Sequence, residues 1–476
     1  MKKGEITVFL SLTVVLLVSF ILGMMNAANI QLMKNQARID VDSALYSLFG
    51  EYQTDLLEEY HIFGIEETYG TGNLQEENLL RRMHYFGTKG IIHEIKGIQY
   101  LTDLDGMGLR EQIITYMEQK YGIEYARNLA GMTGEWEEVE IQEKEAKENQ
   151  NQSIEEMKQM SEEMEKDHQE EIENPFDCME QIEANGIISY VLPKDKRLSG
   201  KEINRDRQVS VRIRVAGRGN FPARKNLSGT EERLLFNEYV LKNLENAAGR
   251  EAEPDELEDQ AAVSDGNKIY QEERKKSLDY EVEYLLAGKK SDRENLKDAV
   301  NQVLTLRGAM NLLFLLNSPD KKAEADALAA AVAVGIVPAQ MALSFFILTL
   351  WAFGEAVLDV KMLLAGGKIP FWKTEGTWKT CLSGLLDQSF LKETGECSGD
   401  GRTYTEYLSC LIFLMDRKTR NFRMMDLIQW NIRTEQADFS VANCAYQIEI
   451  EAEVLQKHMF FQKEEYKGTV YVAGSY

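Results

Sequence analysis

The side chains with the greatest chemical reach here are five histidines, five cysteines and a few acidic or glycine-rich loops, and their spacing argues against catalysis. A helical zinc hydrolase site needs two histidines four positions apart with a glutamate beside the first. His61, His84, His93, His168 and His458 make no such pair; His93-Glu94 has no histidine four positions on. Asp103-Leu104-Asp105-Gly106 opens like a calcium loop, but Met107 and Leu109 stand where further oxygen ligands belong. The run Gly395 to Gly401 contains Cys397, yet it fits neither the strained serine elbow nor a partnered Cys/His spacing, and it reads as a tight turn. Gly217-Arg218-Gly219 lacks the rest of a phosphate-binding loop. Among so many glutamates, carboxylate pairs are inevitable and carry no information about glycoside chemistry. The sequence thus names no catalytic residue, cofactor or metal ligand, and a non-enzymatic protein is expected.

Cys178, Cys381, Cys397, Cys410 and Cys444 contain no Cys-x-x-Cys pair and are too scattered for a disulfide framework. Cys381 and Cys397 could close a loop outside the cell, leaving an odd thiol; buried free thiols are the plainer reading. The net charge of −24 excludes the basic surface that nucleic-acid binding requires. Half of it falls between Glu135 and Glu173, with 16 acidic residues against 4 basic. That run, with Ile154, Met157, Ser161, Met164, His168 and Ile172 on one narrow stripe, suits either a weakly packed helix, half of a coiled-coil hairpin, or a solvated linker.

With no reactive cluster to position, the elements themselves carry the information, above all the first. After Glu5 no charge occurs before Lys34, and Ile6 to Ala28 is almost continuously apolar. As a helix this run spans about 35 Å, enough for a hydrocarbon core of about 30 Å. Lys2 and Lys3 precede it, which predicts a cytoplasmic N-terminus and an extracellular body on a single-pass anchor. Three readings of the segment stand open: an uncleaved signal anchor, a removed secretory signal, and a processed leader of the prepilin kind. The removed signal is the poorest fit, because the run is long and cuts after Ala27 or Ala28 place Met25 or Asn26 at the third position back.

Downstream, Ala44, Leu45, Leu48, Phe49, Tyr52, Leu56, Leu57 and Tyr60 recur at three- and four-residue steps. They predict that the helix continues as a spine to Tyr60 and breaks near Gly64 and Gly70–Gly72. Val209, Val211, Ile213 and Val215 alternate with Ser210, Arg212 and Arg214, a strand pattern, and 246–266 reads as a polar loop. Helical patterning resumes from Tyr270 to Leu316. Ala327 to Gly354 carries no charge, but Gly335 and Pro338 interrupt it, predicting a buried helical hairpin over a second span, with a stop at Gly366-Gly367. Thr403-x-x-Glu406 has the spacing of a capping box. Tyr446, Ile448, Ile450, Ala452 and Val454 alternate with polar residues, and Thr469 to Val472 makes a last strand. The Arg212/Arg214 face is expected beside Glu449/Glu451 in one antiparallel sheet.

The N-terminal string Lys2-Lys3-Gly4-Glu5-Ile6-Thr7-Val8-Phe9-Leu10 resembles a prepilin leader, which implies cleavage between Gly4 and Glu5. It departs from pilins in carrying Phe9 where the fifth mature residue is usually glutamate. The strings DSALYSLFGEY from Asp42 and LLEEYHIFG from Leu56 resemble bacterial pseudopilin-like proteins of the TadE/TadG type, within them an uncharacterised Gram-positive family of large surface proteins. Leu101 to Asp105, Gln112 to Met117, Leu278 to Gly288, Tyr404 to Ser409 and Met424 to Gln429 look like further blocks of that family. The resemblance implies a minor component of a Tad-type pilus or the cell envelope. Its partners would be membrane lipid and other pilus or envelope proteins met through the N-terminal helix. A sensor or interaction ectodomain acting through a partner is the alternative.

The resulting expectation is an α+β, predominantly α-helical chain. A leader and transmembrane helix occupies 1–33, a spine helix and N-terminal head 34–134, and an acidic helical or linker segment 135–175. A mixed region with strands follows at 176–245, then the polar loop, a helical domain with the apolar hairpin at 267–435, and C-terminal strands at 436–476.

Overall fold

The computed structural model describes residues 3–88, 92–122, parts of 134–148, 187–193, 198–204, 208–210, 216–219, 221, 229–249, 276–332, 337–383, 401–457 and 465–475. The chain is mostly helical, with a long N-terminal apolar helix and a small antiparallel sheet. It divides into two compact units: Met1–Ile113 with Val209–Lys225 and Ile428–Tyr476, and Ile114–Gln208 with Asn226–Leu427.

The first unit contains α1 (Lys3–Phe49), α2 (Thr54–Tyr60), α3 (Glu76–Tyr85), the start of α4 (Asp103–Tyr121) and four strands. The strands are β1 (Ile65–Glu66), β2 (Ile92–Tyr100), β3 (Cys444–Lys457) and β4 (Glu465–Ser475). β3 is central. β2 runs antiparallel along one side, while β4 and the short β1 follow one another along the other. Alternation places Ile448, Ile450 and Ala452 of β3, Ile95 and Ile98 of β2, and Val470 and Val472 of β4 in one buried cluster. The end of α1 completes it with Ala37, Val41, Ala44, Leu45 and Leu48, a helical stripe that is almost fully buried. Gly474 permits close approach: a Cβ there would meet Phe49 at 2.6 Å.

The spine does not reach Tyr60. α1 ends at Phe49, and the chain turns at Gly50, the poorest helix former in that stretch short of proline. Leu56 and Tyr60 are buried from the separate α2, which closes with His61 in the left-handed region. Gly70 and Gly72 take positive φ in the turns beyond β1.

The second unit is helical among its described residues. It includes α5 (Gly229–Asn243), α6 (Glu281–Ala287), α7 (Asp292–Asn317), α8 (Pro319–Val332), α9 (Val337–Leu364), α10 (Tyr404–Leu414) and most of α11 (Arg417–Arg433). α8 and α9 pack as a hairpin, but not as the buried one expected: Ala327, Ala330, Ala331 and Met341 are exposed, and burial sets in along α9 only from Ser344. Pro338 lies in the first turn of α9, and Gly366 takes φ +89° just past its end. Thr403 and Glu406 form the complete capping box at the start of α10. The acidic segment Glu135–Glu173 and the 246–266 loop lie almost wholly outside the described residues.

Candidate functional site

What stands out among the described residues is a long exposed helix and the sheet that holds its end. α1 is 47 residues, about 70 Å. From Ile6 to Met25 its large apolar side chains are exposed on all sides, among them Phe9, Leu12, Val15, Leu16 and Phe20. A helix hydrophobic all round belongs in an apolar surrounding rather than in water. Its few polar side chains there satisfy themselves: the hydroxyls of Ser11, Thr13 and Ser19 donate to carbonyls three residues back at 2.8–2.9 Å. That is the condition for polar groups in hydrocarbon. Charge returns at Lys34, followed by a Gln36–Asp40 hydrogen bond of 2.8 Å, and burial begins at Ala37. The helix is long and apolar enough to cross a membrane, and that apolar stretch is entirely exposed.

Two further helices reach the same length and hydropathy, Asp292–Asn317 and Gln340–Leu364, but 61% and 67% of their apolar stretches are buried inside the protein. Their charges explain why. Arg307 of α7 and Glu355 and Asp359 of α9 join Lys373 in a balanced quartet with almost no solvent access. The Arg307 guanidinium donates to Asp359 at 3.0 Å, and the Lys373 ammonium bridges Asp359 at 2.7 Å and Glu355 at 2.5 Å. Arg307 also donates to the carbonyls of Pro370 and Phe371 and to Asn311, while Glu355 accepts from the Lys379 and Thr380 amides. Every charge is paired and hydrogen-bonded, which is the condition for burying it. The quartet closes the loop 369–380 onto α7 and α9; it is not an open site.

A second buried carboxylate is less complete. Glu283 in α6 accepts from the Ala247 amide at 2.9 Å and the Tyr404 hydroxyl at 3.1 Å through one oxygen, while its other oxygen has no partner. Burial dominates, and its carboxyl is pushed up to about 7. Neighbouring Asp292 is also raised by burial, against hydrogen bonds from Ser199, Asp279 and Tyr280. In the first unit, the Tyr100 hydroxyl donates to Glu67 at 2.7 Å, and burial raises both groups.

Gly4 and Glu5 lie in the first turn of α1, with Glu5 exposed. Cys381 is exposed beside the Ser383 hydroxyl at 3.4 Å, not buried as the free-thiol reading had it, and its candidate partner Cys397 lies outside the described residues. Cys410 and Cys444 are buried, and burial raises the Cys444 thiol. The Asp103 carboxylate is occupied by the amides of Tyr100 and Gly217 at 2.8 and 3.0 Å. It caps a turn in which Leu104, Asp105 and Gly106 are all left-handed. No group of three metal-ligating side chains occurs among the described residues. Arg212 and Arg214 lie outside the described residues, and both neighbours of β3 at Glu449 and Glu451 are now known to be β2 and β4. Lys96 of β2 answers Glu451 at 2.8 Å. The quartet escaped the sequence reading, although Glu355 and Asp359 at i, i+4 directly after 28 uncharged residues were its visible signal.

The profile of a family of unknown function (DUF5702) matches residues 165–456, more than half of the chain. The chain belongs to that family. The DUF5702 match covers the buried quartet, Glu283 and nearly all of β3, and it leaves α1 outside. No curated protein and no solved structure matches the chain.

Proposed function

We propose that this protein is a membrane-anchored, extracytoplasmic structural or assembly component, a minor pseudopilin-like subunit of a Tad-type pilus or of the cell envelope. The observation that carries the reading is the division of α1. Its first part is bare and apolar on every side, and its last part is the lid of an antiparallel sheet. Such a helix serves two solvents at once, lipid below and a protein core above. Lys2 and Lys3 favour the cytoplasmic side for the N-terminus and the outside for the body. The role is physical rather than catalytic: α1 holds the subunit in the bilayer, packs beside helices of other subunits, and presents the head.

Phe9 at the fifth position after Gly4 supports a minor or initiating place rather than that of the main subunit. The test is the N-terminal sequence of the mature protein from membranes, with and without a prepilin peptidase. A start at Glu5 that depends on the peptidase is expected. An unprocessed N-terminus sinks the pilus reading and leaves a plain anchored surface protein. Abundance along filaments equal to the main subunit would sink the minor role.

A further inference from the structure

The buried quartet brings an amine, a carboxyl carbon and a second carboxylate into contact. Lys373 Nζ lies 2.7 Å from Asp359 Oδ1 and 2.5 Å from Glu355 Oε1, with the Thr377 carbonyl at 3.2 Å as its third partner. A nitrogen so placed stands roughly 3.5 Å from the carboxyl carbon, the separation of a near-attack arrangement. The two oxygens of Asp359 are held differently. Oδ2 accepts from Arg307 Nε and Nη2 at 3.1 and 3.0 Å and from Asn311 at 3.1 Å, whereas Oδ1 meets only Lys373 among the described residues. Donors gathered on one oxygen stabilise the negative charge that a tetrahedral intermediate puts there. Glu355 is fixed by neutral groups: its oxygens accept the Lys379 and Thr380 amides at 2.8 to 3.3 Å, and Oε1 also touches the amine. All four side chains are 1% exposed or less, so bulk water does not compete for the carboxyl carbon.

We propose that Lys373 and Asp359 condense into an isopeptide bond, with Glu355 as proton carrier and Arg307 and Asn311 as oxyanion donors. Nζ starts as an ammonium and ends as an amide N–H, so it gives up two protons. Glu355 takes each in turn and delivers it to Asp359 Oδ1. The Nζ lone pair forms the new bond to Cγ, the Cγ–Oδ1 bond breaks, and Oδ1 leaves as water. No oxidant or further reactant enters. Asp359 rather than Glu355 is the acyl partner, because only Asp359 carries a cation on the oxygen that turns negative. One positive and one negative charge vanish together, leaving Arg307 and Glu355 equal and opposite. Oδ2 becomes the amide oxygen and keeps its three donors. The bond ties α9 to the loop 369–380 and closes a ring of chain from Asp359 to Lys373, so the loop resists extraction by force or by protease. This chemistry and the pilus reading stand independently; neither requires the other.

The test is the mass of the purified full-length protein and of its tryptic peptides. Lys361 and Lys368 are cleavage sites that put Asp359 and Lys373 on separate peptides. The expected result is a protein lighter by one water than its sequence from the N-terminus found. It includes a linked pair of those peptides, with fragments placing the bond between Asp359 and Lys373, and no cleavage after Lys373. Glu355→Gln keeps acceptors for the Lys379 and Thr380 amides, and is expected to slow linkage at least about a hundredfold and leave the chain at full mass. If circular dichroism shows that variant unfolded, Glu355→Asp, which keeps the charge, is expected to leave mostly unlinked protein. Separate peptides with cleavage after Lys373 reduce the contact to an ion pair and overturn the proposal. A link from Lys373 to Glu355 overturns the choice of acyl partner, and full linkage in a folded Glu355 variant overturns the proton carrier.

Discussion

Glu283 keeps a proton that free glutamates surrender. Its folded carboxyl titrates at about 7, well above the unfolded value near 4.5, so the folded state binds the proton more tightly across that interval. Its contribution to stability is therefore full below about pH 4.5, declines as pH rises, and is exhausted above about 7. Glu283→Gln keeps an acceptor for Ala247 and Tyr404 and removes the ionisation. The stability of the variant relative to the parent is expected to rise by about 3 kcal/mol between pH 4 and pH 8. Denaturant unfolding at the two pH values measures it, and a difference independent of pH would show that the carboxylate is solvated. Arg307, Glu355, Asp359 and Lys373 present a different case: two basic and two acidic side chains are buried in mutual contact, each against an opposite partner.

At the scale of elements, local chemistry reads more plainly than pairing. The Thr403/Glu406 box is a complete local device, and Thr403→Ala is expected to cost about 1 kcal/mol by releasing the Glu406 amide at the start of α10. Thermal unfolding of the second unit measures this, and an unchanged midpoint would mean that tertiary contacts alone hold that end. The same locality made the alternation of β3, the proline-started α9 and the glycine stop beyond it legible in the residues. β2 was not legible, because the shifts at Gly97 and Tyr100 break its two-residue period. The end of α1 at Phe49 was not legible either: Leu56 and Tyr60 prolong its helical spacing, yet they are buried from a different helix. The quartet stayed hidden because Lys373 and Arg307 are separated by 66 positions and meet only through tertiary packing.

At the scale of the molecule, both units are discontinuous in sequence, so the first is complete only when the chain's last fifty or so residues return to the sheet. Under the proposed anchoring, α1 sets where this happens. Leu16→Arg with Val18→Arg places two guanidiniums in the middle of the apolar stretch at about 2.5–3.5 kcal/mol each. The double variant is expected to shift the protein from membrane to soluble fractions after alkaline extraction, with the fold of the head unchanged by circular dichroism; full retention in membranes would contradict the anchor. The continuity of α1 has a mechanical meaning as well. Only Asn29 to Gln36 separate the end of the apolar stretch at Ala28 from Ala37, the first residue gripped by the sheet, about 12 Å of helix with neither proline nor glycine. There is no slack in that joint. A pull that moves the bare part of α1 by one turn along its axis lifts the sheet by the same stroke, so the displacement reaches the sheet undiminished, as along a rod rather than a tether.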